Sequence, residues 1–288
     1  MLIEEIEVSP PLWSLFSKAV LHSGLPKKSR QLPALGLRLN RVHVNHRNLT
    51  AYGAVCAFNS TAMLPATYPH ILAFPLHMAL MTSEQFPFPL LGLVHISNKI
   101  QQFRRIHRDS LLDIECYFGD IQSHHKGQIF SVHTHVYLGK ELVWSSQSTM
   151  LHRQNRPGQS VKPARESPAP DSHRHNTQSP IWVLDQGLGF RYARVSGDFN
   201  PIHLHPWSAR LFGFPRSIAH GMWSKARCLA ALDSQLPPAF AVDVHFKLPM
   251  FLPAEVVFNH QPHPTNQEFS LCEAKTGKPH LQGTIQQL

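Results

Sequence analysis

The sequence predicts an α+β protein built from two similar units in tandem, each an antiparallel sheet wrapped around a central helix. Three observations lead there. Composition changes sharply over residues 153–180, where Pro157, Pro163, Pro168, Pro170 and Pro180 stand among polar and basic residues with almost no large apolar ones. Such a stretch predicts an extended, mobile linker between folded units at 1–152 and 181–288. The second unit shows a long helical pattern followed by several strand-like runs, the order expected when a sheet wraps a helix. The two units also share a faint repeat. The first has F-P-F-P at Phe86–Pro89, then Val94-His95 and Lys99; the second has F-G-F-P at Phe212–Pro215, then Ala219-His220 and Lys225. In each, a helix-like stretch is expected next, then strands with a Gly-Lys turn near the end, at Gly139-Lys140 and Gly277-Lys278.

Taken in order, Pro11–Leu21 reads as a short amphipathic helix packed on the body, with Leu12, Leu15, Phe16 and Val20 inward. The apolar run Met63–Met81 is interrupted by Pro65, Pro69, His70, Pro75 and His77, which makes membrane insertion costly, and no run reaches spanning length. Leu111–Phe118, Ile129–Leu138 and Glu141–Met150 read as strands. In the second unit Ser217–Leu236 is the predicted central helix, because Ile218, Met222, Ala226, Leu229 and Leu232 recur at helical spacing. Phe240–Leu248, Ala254–His260, Glu268–Ala274 and His280–Gln286 come next as strands.

At 288 residues and 32.6 kDa, with 42% hydrophobic residues, the chain can bury a real core in one large or two small domains. Its 27 Lys plus Arg against 18 Asp plus Glu give a formal charge of +9. That balance attracts nucleic acid, anionic membrane or a phosphorylated small molecule alike. The basic clusters Lys27-Lys28-Ser29-Arg30 and Arg104–Arg108 sit in no nucleic-acid module and read as solvated surface. Cys56, Cys116, Cys228 and Cys272 are far apart and form no C-x-x-C pair, which fits reduced thiols in a cytoplasm. Among 21 histidines the pairs at 133/135, 173/175 and 203/205 have ligand-like spacing but lack carboxylate or cysteine partners, so no metal and no cofactor is expected. Met1–Val8 carries three glutamates and no basic start, so no secretory leader is expected.

The most informative run is Y-A-R-V-S-G-D-F-N-P-I-H-L-H-P-W-S-A, Tyr192–Ala209. Gly197 and Pro201 break helix and strand, so 196–202 should form a tight, irregular turn on which Asp198 and His203 converge. A carboxylate and a near-neutral imidazole facing one water suit proton transfer, worth roughly 10²- to 10⁴-fold in rate. Taken alone, the same residues also fit a helix cap, an Asn-Pro turn and a surface histidine.

The run resembles the signature of MaoC-like, (R)-specific enoyl-CoA hydratases: an aromatic, then S-G-D-x-N-P, an aliphatic, His, and a small residue after a gap. Two further blocks stand in that family's order, F-G-F-P-R-S-I-A-H-G-M at 212–222 and V-H-F-K-L-P-M-F-L-P at 244–253. The resemblance implies the hotdog fold in tandem, with a degenerate first copy and a catalytic second. The first copy lacks D-x-N-P-x-H, shows His95-Ile96 where the second has His220-Gly221, and helps accommodate the acyl chain. It further implies a lyase of fatty-acid metabolism that hydrates trans-2-enoyl thioesters reversibly to (R)-3-hydroxyacyl thioesters. Asp198 and His203 are then the catalytic pair, in roles the sequence leaves open. Asn200 orients water and stiffens the turn, and the Gly221 N–H at a helix start is the oxyanion contact. Phe246 lies beside pantetheine, and His95 near the acyl tunnel.

The expected partner is an acyl-CoA or acyl-carrier-protein thioester, not nucleic acid. The tandem pair either stands as a pseudo-dimer or pairs again as a homodimer. Competing readings are a 3-hydroxyacyl dehydratase acting on carrier-protein thioesters, a thioesterase, a non-catalytic acyl-thioester-binding protein, and a basic nucleic-acid binder.

Overall fold

The computed structural model describes residues 2–22, 31–59, 62–90, 92–153, 179–263 and 266–288; for Val20, Leu21 and His22 it describes the backbone alone. The linker expected over 153–180, apart from its ends, and the basic cluster at 27–30 lie outside the described residues. In chain order the elements are β1 (Leu2–Ile6), α1 (Leu12–His22), β2 (Leu35–Val42), α2 (His46–Cys56), α3 (Tyr68–Met81), β3 (Leu93–Gln102), β4 (Leu112–Phe118), β5 (Gln122–His124), β6 (Gly127–Leu138) and β7 (Glu141–Arg153). Then come β8 (Ile181–Leu184), α4 (Leu188–Ser196), α5 (Pro201–Leu204), α6 (Pro206–Leu211), α7 (Gly221–Leu232), a short 3-10 turn, β9 (Phe240–Phe246), β10 (Ala254–Gln261), β11 (Asn266–Glu273) and β12 (Pro279–Gln287).

One 12-stranded sheet runs through the molecule in the order β1-β2-β4-β6-β7-β3-β9-β12-β11-β10-β8, with β5 beside β6. Outward from the β3–β9 seam the order is the same on each side: β3-β7-β6-β4-β2 and β9-β12-β11-β10-β8. The fold is an α+β tandem hotdog, and α3 and α7 are the two enclosed helices. Alternation along the strands places one face inside, as in β4, where Leu112, Ile114, Cys116 and Phe118 are buried and their neighbours half-buried. In α1, Leu15 is buried, and Leu12 and Phe16 pack partly against the core. All four cysteines are free and buried. Among the described residues no helix is long and apolar enough to cross a membrane.

The apolar run broken by prolines holds helix α3: Pro69 occupies its first turn, where no amide hydrogen is needed, and Pro75 lies inside it. One sequence expectation needs correction. The element after F-P-F-P in the first half is strand β3, with Val94, His95 and Lys99 on it, because the central helix precedes that block. The repeat register expected from F-P-F-P is therefore displaced. The structural equivalence runs through Y-G-A-V-C-A-F at 52–58 and Y-A-R-V-S-G-D at 192–198. Ala57 and Gly197 both adopt left-handed backbone, at φ 63° and 77°. Leu64 N–H donates to the Ile106 carbonyl at 2.8 Å as Ala219 N–H does to Met250 at 2.9 Å. Arg108 N–H donates to Ala62 at 3.0 Å as Leu252 N–H does to Ser217 at 2.9 Å. Pro65-Ala66, and not His95-Ile96, thus stands where the second half has His220-Gly221.

The halves are tied at the seam by buried polar groups. β3 and β9 pair antiparallel from Ser97↔His245 to Gln102↔Phe240. Above them Lys225 on α7 is fully buried, and its Nζ donates to Asn98 O at 2.8 Å, Asn98 Oδ1 at 2.7 Å and Val242 O at 3.3 Å. Burial pushes the Lys225 pKa well down, but three oxygen acceptors match the three hydrogens of an ammonium and leave no place for an amine lone pair. His70, which occupies the equivalent position on α3, stacks edge-on against His77 with ring centroids 5.1 Å apart. Burial keeps these rings neutral at ordinary pH, pulling His77 down to about 3 and His95 to about 4. The Val55 and Val195 carbonyls, which are equivalent, each receive a side-chain N–H from the other half, from Trp223 at 3.0 Å and Asn48 at 3.1 Å.

Lys225→Met should strand three buried oxygens and lower stability by about 2–4 kcal/mol. Urea denaturation followed by circular dichroism checks this, and a midpoint equal to wild type would contradict the clamp.

Candidate active site

The second half departs from the first in one segment. From the left-handed residue to the bridge that precedes the central helix, the first half uses seven positions, Ala57 to Met63; the second uses twenty-two, Gly197 to Ile218. The longer segment begins where α4 ends at Ser196. Gly197 reverses the chain at a positive φ that side-chain-bearing residues rarely adopt. Asp198 N–H then donates to Ser196 Oγ at 3.2 Å, and Asp198 Oδ1 accepts from Asn200 N–H at 3.2 Å. Asn200 Oδ1 caps α5 by accepting from Ile202 N–H at 3.4 Å, so Pro201 opens a short helix and the irregular part of the turn ends at Asn200. Ser208 Oγ donates to Pro201 O at 2.6 Å and fastens α6 back onto this turn.

These local constraints bring Asp198 and His203 together with a third residue, His220; one ligand-type atom of each lies within 4.8 Å of the others. His203 Nδ1 is 2.8 Å from the Ile218 carbonyl oxygen. A carbonyl only accepts, so Nδ1 carries the hydrogen and Nε2 keeps its lone pair. His220 lies against His203 with centroids 3.7 Å apart and planes at 26°. Its Nε2 donates to the Asp198 main-chain oxygen at 3.0 Å and stands 3.9 Å from Asp198 Oδ2. Both imidazoles are buried, whereas the Asp198 side chain keeps 32% of its surface exposed at the mouth of the site. Burial raises the Asp198 pKa, with His203 opposing, and lowers that of His203, with Asp198 opposing. His220 is lowered well below 6.5, first by burial and then by His203. The arrangement therefore presents a carboxylate and a neutral imidazole lone pair side by side, able to hold a water and move its proton.

Gly221 opens α7, where the first amide hydrogens have no partner within the helix. The Phe246 ring lies over it, so that a β-carbon at 221 would stand 3.0 Å from the ring. His95 also meets that ring, edge-on with centroids 5.1 Å apart. Of the residues singled out from the sequence, Asp198, Asn200 and His203 thus share one turn, while Gly221, Phe246 and His95 form a second contiguous group. His220 links the two groups by chain and was missed by sequence reasoning. Its signal was present as the His of A-H-G-M, but its contact with Asp198 bridges 22 positions. Of the ligand-type atoms here, His220 Nε2 is committed to the Asp198 main-chain oxygen, while His203 Nε2, His220 Nδ1 and the Asp198 carboxylate keep lone pairs.

The first half keeps the frame without these groups. Phe58 stands at the place of Asp198, Ala66 at that of Gly221 and Gln102 at that of Phe246. They line a cavity of about 20 Å³, room for roughly one water.

Residues 156–279 match the model of the MaoC like domain family. The chain is 32% identical over 263 residues to 3-hydroxyacyl-thioester dehydratase X of Mycobacterium tuberculosis, covering 91% of this chain and 92% of that protein. It is 39% identical over 69 residues to the (R)-specific enoyl-CoA hydratase of Aeromonas caviae, covering 23% of this chain and 52% of that one. The crystal structure of HtdX from Mycobacterium tuberculosis superposes with a TM-score of 0.77 at 30% identity, covering 88% of this chain and 100% of that structure.

The hydrogen bonds fix opposite tautomers for the stacked pair, Nδ1–H on His203 and Nε2–H on His220. Nitrogen-15 correlation spectra at pH 6.5 should show both rings predominantly neutral in those forms, and an imidazolium signal from either would contradict the geometry.

Proposed function

The chain belongs to the family of MaoC-like dehydratases, and on that premise we propose that it catalyses reversible hydration of trans-2-enoyl-CoA to (R)-3-hydroxyacyl-CoA in fatty-acid metabolism. The observation that carries this reading is the pairing of the Asp198 carboxylate with the Nε2 lone pair of His203. Hydration adds the oxygen of water to C3 and a proton to C2. Asp198 and His203 hold the water, remove one proton from it and return one to C2 from the same face. The tautomer of His203 makes Nε2 a proton acceptor, and the raised carboxyl of Asp198 brings its basicity nearer to that of the imidazole, which eases sharing of the proton.

Negative charge then develops on the thioester oxygen. The Gly221 N–H at the start of α7 is the donor placed to receive it, a kind of contact worth roughly 3–4 kcal/mol in a barrier. Phe246 and His95 form the wall beside the thioester. Asn200 holds the turn through its cap and keeps Asp198 aimed. The formal charge of +9 also favours acidic partners, so the same chemistry on thioesters of an acidic acyl carrier protein is the second reading.

The test is loss of the enoyl-thioester ultraviolet band with crotonyl-CoA and with a longer trans-2-enoyl-CoA, followed by chiral analysis of the product. The expected outcome is an (R)-3-hydroxyacyl product; inertness toward both CoA esters with turnover of carrier-protein esters would select the second reading. Asp198→Asn and His203→Ala should each lower kcat by about 10²- to 10⁴-fold while the fold and thioester binding persist. Both groups work unprotonated, so kcat/KM should be flat near neutral pH and fall toward acid. Burial moves the Asp198 limb of that fall up from the ordinary carboxylate range and the His203 limb down from the ordinary imidazole range. A profile already falling at pH 7 would count against the dyad.

A further inference from the structure

We propose that His220 is a positioning residue for this reaction, its ring keeping Asp198 and His203 in register through a hydrogen bond to the main chain of one and a stacked face against the other. The inference rests on reading Asp198 and His203 as the hydrating pair. Its first support is how the two groups are otherwise held. Asp198 lies in an irregular turn between two helices and has about a third of its side chain exposed, and His203 sits on a four-residue helix. Neither element is rigid by itself. The ring that touches both belongs to the first residue before α7, a helix locked to the seam one turn later by Lys225.

The second support is that the ring is kept at a cost to folding. His220 is 3% exposed, and its Nδ1 has no hydrogen-bond partner among the described residues. Burying a lone pair this way disfavours the folded state. The fold does not call for it, because Pro65 fills the equivalent place in the first half ahead of an equally formed helix. The imidazole is present in the half that has Asp198 and His203 and absent from the half that has neither.

The stack also explains how a charge can form. When His203 takes a proton, its imidazolium faces the π-surface of a neighbour 3.7 Å away that stays neutral. The groups facing His220 are Asp198 from the turn, His203 from α5 and Tyr192 from α4, whose ring is 4.9 Å away. Only one of these is a cation in waiting, so the ring does not compete for the proton.

The experiment is steady-state kinetics with crotonyl-CoA on the full chain bearing His220→Ala, His220→Phe or His220→Gln, with Asp198→Asn alongside. His220→Ala should lower kcat about 100-fold with KM within threefold of wild type, the size of loss that a displacement near 1 Å produces. His220→Phe keeps the stacked face and loses the donor; His220→Gln keeps a donor and loses the face. Each should fall between Ala and wild type. Opening space beside His203 admits water, so the acid limb of the pH profile should move up toward 6.5 in the Ala variant and stay in place in the Phe variant. Wild-type kcat and an unmoved acid limb in Ala and Phe together overturn the proposal, as does an effect confined to KM. If His220→Ala does not fold, His220→Phe decides alone, wild-type kcat being the overturning result. Activity in Asp198→Asn sinks the hydration reading itself, whereas a dead Asp198→Asn beside fully active His220 variants sinks only the role of His220.

Discussion

A buried ammonium at the junction of two half-sheets constrains the rest of this molecule. Lys225 is the point where helix α7, strand β3 of the first half and strand β9 of the second meet, and its three bonds leave it little freedom to shift. An ion held this deep, with Asp243 acting on it from a distance and no carboxylate bonded to it, is tolerated when its hydrogens are all used, so the oxygens of Asn98 and Val242 must stay where they are. That requirement fixes the seam register, the height of α7 above the sheet and, four residues earlier on the same helix face, the place of Gly221. The covering of Gly221 by Phe246, and of Phe246 by His95, arises from the same register, because those two rings come from the paired seam strands.

The electrostatics of the candidate site are set by the solvent that this packing excludes. Asp198, His203 and His220 perturb one another, yet burial is the leading cause of every shift among them. Water reaches the Asp198 side and is kept from the imidazoles, so the carboxyl and the nearer ring are brought closer in proton affinity than they are in solution. The histidines of the first half, 70, 77 and 95, are subject to the same burial and gain no carboxylate. Their neutrality is a packing property, which shows that a lowered histidine pKa by itself does not locate the chemistry here.

Much of this was legible in the sequence where the determinants are local. The turn at 196–203 declares itself through Gly197, Asn200 and Pro201, and strands such as β4 declare themselves through alternation. Helix α3 was hidden by its own residues, since Pro69, His70, Pro75 and His77 break the apolar period, and whether they suit a helix depends on burial and on a first-turn position that the pattern does not reveal. F-P-F-P is a loop feature free to recur by chance. The shared Y-x-x-V at 52–55 and 192–195, with a left-handed residue two places after each valine, carried the true register. His220 needed tertiary information, because no spacing rule links it to a carboxylate 22 positions away.

The long segment between Gly197 and Ile218 has a consequence for how such a chain changes over generations. The side chains brought together in the candidate site come from this insertion and from the residue that opens one helix, while the copy without the insertion contributes a shared sheet and the His95 ring against Phe246. Substitutions in the first copy are then screened by shape and stability alone. It is free to drift toward prolines in a helix and imidazoles in a core, and in doing so to remodel the space offered to a ligand without touching the groups that would act on it.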